Sequence, residues 1–213
     1  MSSIQHPPPR RVIVYIDGFN VYFGLRESGM KALYWLDYPS LAKSLVKTLT
    51  NAELVATKYF TSRIDSPEDK RIRQKDYIEA LQHRGNIQMY FGNYRETEYT
   101  CGGCKRPNFL HNEKQTDVNI AVQMMLDAYE DNFDVAILVG GDSDLVPPIK
   151  AIHETWKPKQ VIPCFPPRRI SKEIKAVTKG QIHIREADLK NNQLPAEIER
   201  SDGYVYRRPK YWK

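Results

Sequence analysis

Asp17, Asp117, Asp142 and Asp144 are the residues whose type and placement could do chemistry. Asp142 and Asp144 follow Val135-Ala-Ile-Leu-Val-Gly-Gly141, an apolar run without polar alternation that ends in two glycines. Asp17 follows a second such run, Arg11-Val-Ile-Val-Tyr-Ile16, and precedes Gly18. Asp117 stands in Gln115-Thr-Asp-Val-Asn119. Carboxylates brought together repel one another, and their pKa values rise unless a cation lies between them. Mg²⁺ or Mn²⁺ meets that need, because hard divalent ions take carboxylate and water oxygens and bind substrate phosphates as well. Such an ion lowers the pKa of a bound water for in-line attack on phosphorus. Metal-assisted phosphodiester hydrolysis is therefore the chemistry these residues point to. Aspartates also follow strands and open helices for turn and capping reasons. The weight rests on their recurrence in three separate segments, with Asp17, Asp117 and Asp142 expected within metal-bridging reach.

The elements that must position these acids are legible as alternating strands and helices. A continuous apolar run suits a strand buried on both faces of a parallel sheet. Such strands are expected over 11–16, 54–60, 87–91, 135–139 and 160–165, with a short edge strand over 182–184. Helices are expected over 21–27, 38–49, from Ser66 to Arg84, from Thr116, over 146–154 and over 171–178. Asn20 would cap the first of them, and Thr116 would cap the fourth, leaving Asp117 in a first turn where the helix dipole favours an anion. Val118, Ala121, Val122, Met125, Leu126 and Tyr129 give that helix an expected core-facing stripe. This alternation predicts a three-layer, Rossmann-like α/β fold. Its central sheet is mainly parallel, of about five strands, with helices on both faces. In such sheets ligands bind beyond the carboxyl ends of the strands, where the acids are delivered.

Asn20 and Ser143 could hydrogen-bond an attacking water or a phosphate oxygen, or serve only as cap and turn residues. Arg168, Arg169 and Ser171 follow the fifth strand, on the expected rim of the acids, and with Lys114 they are the candidates for phosphate contacts. Cys101 and Cys104 form a C-x-x-C pair at zinc-ligand spacing, with His111 the nearest third ligand. Two such pairs shared across a homodimer would also complete a four-ligand site. The other reading of this pair is a free-thiol turn shaped by Gly102 and Gly103. The third cysteine, Cys164, falls in the fifth strand and reads as core.

The chain of 213 residues carries a net charge of +6, with 41% hydrophobic and 27% charged residues. That is enough for one substantial domain and mildly favours a polyanionic partner. An acidic centre within a basic surface suits a metal-dependent enzyme acting on nucleic acid. No apolar run approaches a membrane span, the Pro-rich opening lacks a signal-peptide core, and three cysteines make no secreted framework, so a cytoplasmic location is expected. The expected organisation is a disordered lead over 1–10, a domain over 11–185 with a C-x-x-C insertion at 92–115, and a tail over 186–213. The tail interleaves Tyr204, Tyr206, Tyr211 and Trp212 with Arg207, Arg208, Lys210 and Lys213. Its aromatics are expected to dock on the domain.

Ile16-Asp-Gly-Phe-Asn20, Thr116-Asp-Val-Asn-Ile120 and Val139-Gly-Gly-Asp-Ser-Asp-Leu145 resemble, in order and spacing, the signature blocks of the NYN domain in its LabA-like branch. The ending Gly203…Arg208-Pro-Lys-Tyr-Trp212 resembles that branch too. The resemblance implies a PIN-like fold and a Mg²⁺- or Mn²⁺-dependent ribonuclease. In it Asp17, Asp117 and Asp142 match the metal-site acids, Asn20 the polar helper and Asp144 the second acid of its block. PIN domains also place an acid on a mid-chain helix, for which Glu68 and Asp69 are the weak candidates here. The rival reading is a non-catalytic module that binds RNA or protein. A haloacid-dehalogenase-type phosphatase ranks low, because the residue two after Asp17 is Phe19 rather than a second acid.

Overall fold

A computed structural model describes residues 7–100, 102–103 and 107–212. The two apolar runs become adjacent central strands. β1 (Arg10–Asp17) and β5 (Val135–Val139) pair in parallel, and their side chains divide between two cores. Val12, Val14, Ile16, Val135, Ile137 and Val139 face one core, and Ile13, Tyr15, Ala136 and Leu138 face the other. Burial on both faces is why neither run alternates with polar residues.

The remaining strands are β2 (Ala52–Ser62), β3 (Gln88–Thr100), β4 (Pro107–Lys114), β6 (Gln160–Phe165) and β7 (Ile182–His183). They extend the sheet to the order β4-β3-β2-β1-β5-β6-β7. Six strands run parallel and β4 returns antiparallel along β3. To the five expected strands the sheet adds the short edge strand β7, also expected, and β4, which pairs with an extended β3 in the segment read as an insertion. The chain winds outward from β1 in one direction to β3, then from β5 in the other to β7. This puts the switch point between β1 and β5, where an open α/β sheet leaves a crevice.

α1 (Gly18–Glu27), α2 (Tyr38–Val46) and α3 (Glu68–Arg84) supply Val21, Leu25, Leu41, Leu45, Tyr77 and Leu81 to the first core. α4 (Thr116–Tyr129), α5 (Val146–Thr155) and α6 (Lys172–Val177) supply Ile120, Met124, Ile149, Ile152 and Ile174 to the second. The expected stripe on α4 is corrected. Val118, Val122, Leu126 and Tyr129 are exposed, Ala121 and Met125 pack half-buried against the second core, and the fully buried face holds Ile120, Met124, Asp127 and Ala128. The buried face carries a charge, Asp127, matched from elsewhere. Lys58 Nζ donates to its two oxygens at 2.9 and 2.6 Å, and the Tyr15 hydroxyl donates at 2.6 Å. A stripe search that scores apolar residues alone rejects that face.

After α7 (Glu186–Asn191) the chain forms a small antiparallel pair, β8 (Glu197–Glu199) and β9 (Val205–Arg207). Tyr206 is buried, and Trp212 lies 5.6, 6.0 and 5.8 Å, ring to ring, from Tyr34, Trp35 and Tyr77. Among the described residues no helix is long and apolar enough to cross a membrane.

Candidate active site

The acids enter the crevice from three elements. Ile16 pairs with Val139, so Asp17 and Gly140 leave the sheet side by side at its carboxyl edge. A Cβ on Gly140 would stand 3.2 Å from the Asp17 Cβ and 3.7 Å from its Oδ2, so glycine permits this approach. Asp17 itself caps α1, its Oδ1 accepting the Asn20 N–H at 2.9 Å. The helix thus starts at Gly18, three residues before the expected start, and Asn20 is not its cap. The freed Asn20 Oδ1 accepts the Gly141 N–H at 3.1 Å and ties α1 to the Gly-Gly turn.

Past that turn, Asp142 Oδ1 accepts the Asp144 N–H at 2.9 Å and opens a short 3-10 turn over Ser143–Leu145. Ser143 and Asp144 are exposed, while Asp142 is half-buried. The third acid arrives by way of the β3–β4 hairpin. β4 carries the chain back beside Asn93, and α4 begins where the β2–β3 pairing ends, at Ser62 and Gly92. Gln115, with φ 76°, takes the N-cap position, so Thr116 is the first helical residue rather than the cap. Thr116 Oγ1 lies 3.3 Å from Ser62 Oγ, and a Cβ on Gly92 would come within 2.6 Å of it. This close seat fixes the first turn of α4 and with it Asp117.

Partial burial, together with the charges of Asp142 and Asp144, pushes the Asp117 carboxyl up to about 6. Three of the four acids therefore share one field. Among the described residues, however, no three carboxylate, imidazole or thiol side chains are gathered into a metal cage, so the expected bridging geometry is not present. The donor set of carboxylate oxygens still fits a hard divalent cation, whose charge would relieve the strain on Asp117.

The basic rim is only partly as expected. A Cβ on Gly141 would come 1.9 Å from the Arg169 carbonyl oxygen, so the loop after β6 does lie against the acid turn. Arg168 is exposed there, at φ 59°. Arg169, by contrast, pairs with Glu27 and lies over the Phe23 ring. The Ser171 hydroxyl is buried, capping α6 through the Ile174 N–H and donating to Glu173. Both are committed to local structure instead of open to a phosphate. Lys114 is exposed at the end of β4. Glu68 and Asp69 are engaged by Arg71 and Arg73 on their own helix. Cys101, Cys104 and the side chain of His111, the expected zinc ligands, lie outside the described residues. Cys164 is buried and free, its thiol pushed up by burial.

One concavity is not announced by the sequence. A cavity of about 700 Å³ opens beside α1 on the first-core face, with Gly18 in its wall next to Asp17. Aromatic residues from α1, β2, α3 and the tail line it. They are scattered along the chain, so no local pattern announces them.

Topology and acids together define a doubly wound α/β protein with an acidic crevice at its switch point. The chain belongs to the NYN domain family, whose model matches residues 11–185. NYN is a PIN-like nuclease domain, which places the protein with nuclease-type hydrolases at a coarse level. It is 29% identical over 227 residues to 6-hydroxy-3-succinoylpyridine 3-monooxygenase HspA of Pseudomonas putida (strain DSM 28022 / S16), covering 89% of this chain and 72% of that protein. The fold is similar to the crystal structure of VPA0982, a protein of unknown function from Vibrio parahaemolyticus RIMD 2210633. The TM-score is 0.58 and the identity 19%, with 86% of this chain and 98% of that chain covered.

Proposed function

We propose that the protein is a metal-dependent ribonuclease that hydrolyses RNA phosphodiester bonds in the crevice between β1 and β5. The observation that carries this reading is the delivery of Asp17, Asp117 and Asp142 to one sheet edge by three separate elements, with the Asp117 carboxyl raised by partial burial and by the charges of Asp142 and Asp144. A pure binder of polyanions gains nothing from such a set. Asp17, Asp117, Asp142 and Asp144 would hold Mg²⁺ or Mn²⁺, which when bound supplies an activated water and neutralises charge on the phosphoryl oxygens. Asn20 fixes the Gly140–Gly141 turn through the Gly141 N–H and so sets where Asp142 stands. Arg168 and Lys114 are exposed and would contact phosphates, and Ser143, exposed between Asp142 and Asp144, would offer a hydroxyl. The LabA-like branch and a cytoplasmic location belong to the same reading.

The test is incubation with RNA and DNA oligonucleotides in Mn²⁺, Mg²⁺ or EDTA. RNA cleavage with either ion and none in EDTA is the expected result. Binding without cleavage under every condition would support a non-catalytic RNA-binding module instead.

The similarity to HspA and the aromatic cavity favour one second reading, oxygenation of a small pyridine-type acid. Oxygen consumption that depends on a hydroxypyridine substrate would support it.

A further inference from the structure

The aromatic cavity has three properties that bear on what it holds. Its walls are planar rings: Tyr22, Tyr34, Tyr211 and Trp212 line it, and such surfaces favour a flat aromatic ligand over an aliphatic one. Its floor is polar at one point. The hydroxyls of Tyr38, Tyr59 and Tyr77 hydrogen-bond among themselves, and Tyr77 also donates to the Leu36 carbonyl at 2.8 Å. Hydroxyls both donate and accept, so this cluster can meet the mixed edge of a heterocycle. Its rim is cationic, with Arg26, Lys31, Lys70 and Arg73. Asp69 is the acid among the lining residues, and Arg73 already engages it at 2.8 Å. Lys31 and Arg73 both approach the Tyr211 ring, at 5.9 and 5.8 Å from its centre. A ligand that suits all three features is a heteroaromatic ring carrying an anion.

We propose that this cavity is a nucleotide subsite, taking one unstacked base of the bound strand with its phosphate on the cationic rim. Position favours a strand over a small free acid. Gly18 forms part of the wall and directly follows Asp17, so the cavity adjoins the acidic crevice. A volume of about 700 Å³ leaves room for sugar and phosphate beside a base. Single-stranded nucleic acid is held in this way elsewhere, by bases stacked on aromatic side chains beside a positive groove. The Tyr211 ring, 70% exposed, offers a stacking face at the rim without a part in the core.

This inference rests on the ribonuclease reading for its substrate, but its test needs no cleavage. The intact chain in EDTA is titrated with AMP, UMP, ribose 5-phosphate and nicotinate. Quenching of tryptophan fluorescence is followed, since Trp212 lines the cavity and Trp35 packs against it. Saturable binding of both nucleotides is expected, with ribose 5-phosphate about tenfold weaker or more. Tyr211→Ala is expected to weaken the nucleotides by a similar factor at unchanged melting temperature. Ribose 5-phosphate binding as tightly as the nucleotides, no nucleotide binding, or nicotinate binding where nucleotides do not, each overturns the proposal. So does unaltered affinity in folded Tyr211→Ala. Cleavage failing in Mn²⁺ while nucleotides still bind sinks only the ribonuclease reading.

Discussion

Helix α4 carries two aspartates in opposite circumstances. Asp127, in its last turn, is 2% exposed and fully matched: Lys58 and Tyr15 donate to it, and Asn132 Nδ2 adds a third donor at 3.1 Å. Asp117, in its first turn, is partly buried near Asp142 and Asp144, and burial, with their charges, pushes its carboxyl up to about 6. The same residue type on the same helix thus serves structure at one end and is strained at the other. The difference teaches where to look for function. A buried charge with complete partners stabilises or specifies the fold, whereas a partly buried acid beside other acids marks a candidate functional site.

Removing the matched acid should have the largest effect. Asp127→Ala strands the Lys58 ammonium in the core and is expected to destabilise the protein by about 3–5 kcal/mol, read by urea unfolding. Replacing Lys58 and Asp127 together by Met and Leu should recover much of that loss, because no unpaired charge then remains. If Asp127→Ala is nearly neutral, the matched end of the comparison fails. Next in size, Asp142→Asn should lower Mn²⁺-dependent RNA cleavage by at least about a hundredfold while leaving the unfolding curve in place. Unchanged cleavage would move the chemistry away from this crevice.

The smallest effect should come from the strained acid, and with the opposite sign. The Asp117 carboxyl is raised from 3.8 to about 6, so the folded state holds the proton more tightly than the unfolded chain does. In chelator, its contribution to stability is therefore present below about 4 and lost as pH rises to about 6. Asp117→Asn should remove that loss and stabilise the protein at pH 7 by about 1 kcal/mol, solvent screening of a half-exposed group being discounted. A clear loss of stability would mean that Asp117 has a partner cation within the fold.

The unstrained parts of this architecture were the more legible ones. β1 and β5 are continuous apolar runs because both faces of the sheet are covered, and the glycines after them mark the turns that release Asp17 and Asp142. The buried face of α4 is not legible in the sequence because it includes Asp127, whose partner Lys58 lies 69 positions away and leaves no local signal. The start of α1 differs from the expected one because Asp17 caps the helix itself, which frees Asn20 for Gly141. Arg169 and Ser171 looked like phosphate ligands by position, but Glu27 and the Ile174 N–H engage them in three dimensions. The aromatic cavity could not be read at all, since it exists only once the tail lies beside α1 and α3.

The central claim is that the strained acids take up a divalent cation, and titration calorimetry of Mn²⁺ into the protein tests it most directly. At pH 7 saturable binding is expected, weakening as pH falls through about 6, where Asp117 takes up its proton. Asp142→Asn should weaken it strongly. No measurable binding at pH 7, or binding that neither Asp142→Asn nor acid diminishes, would contradict the account.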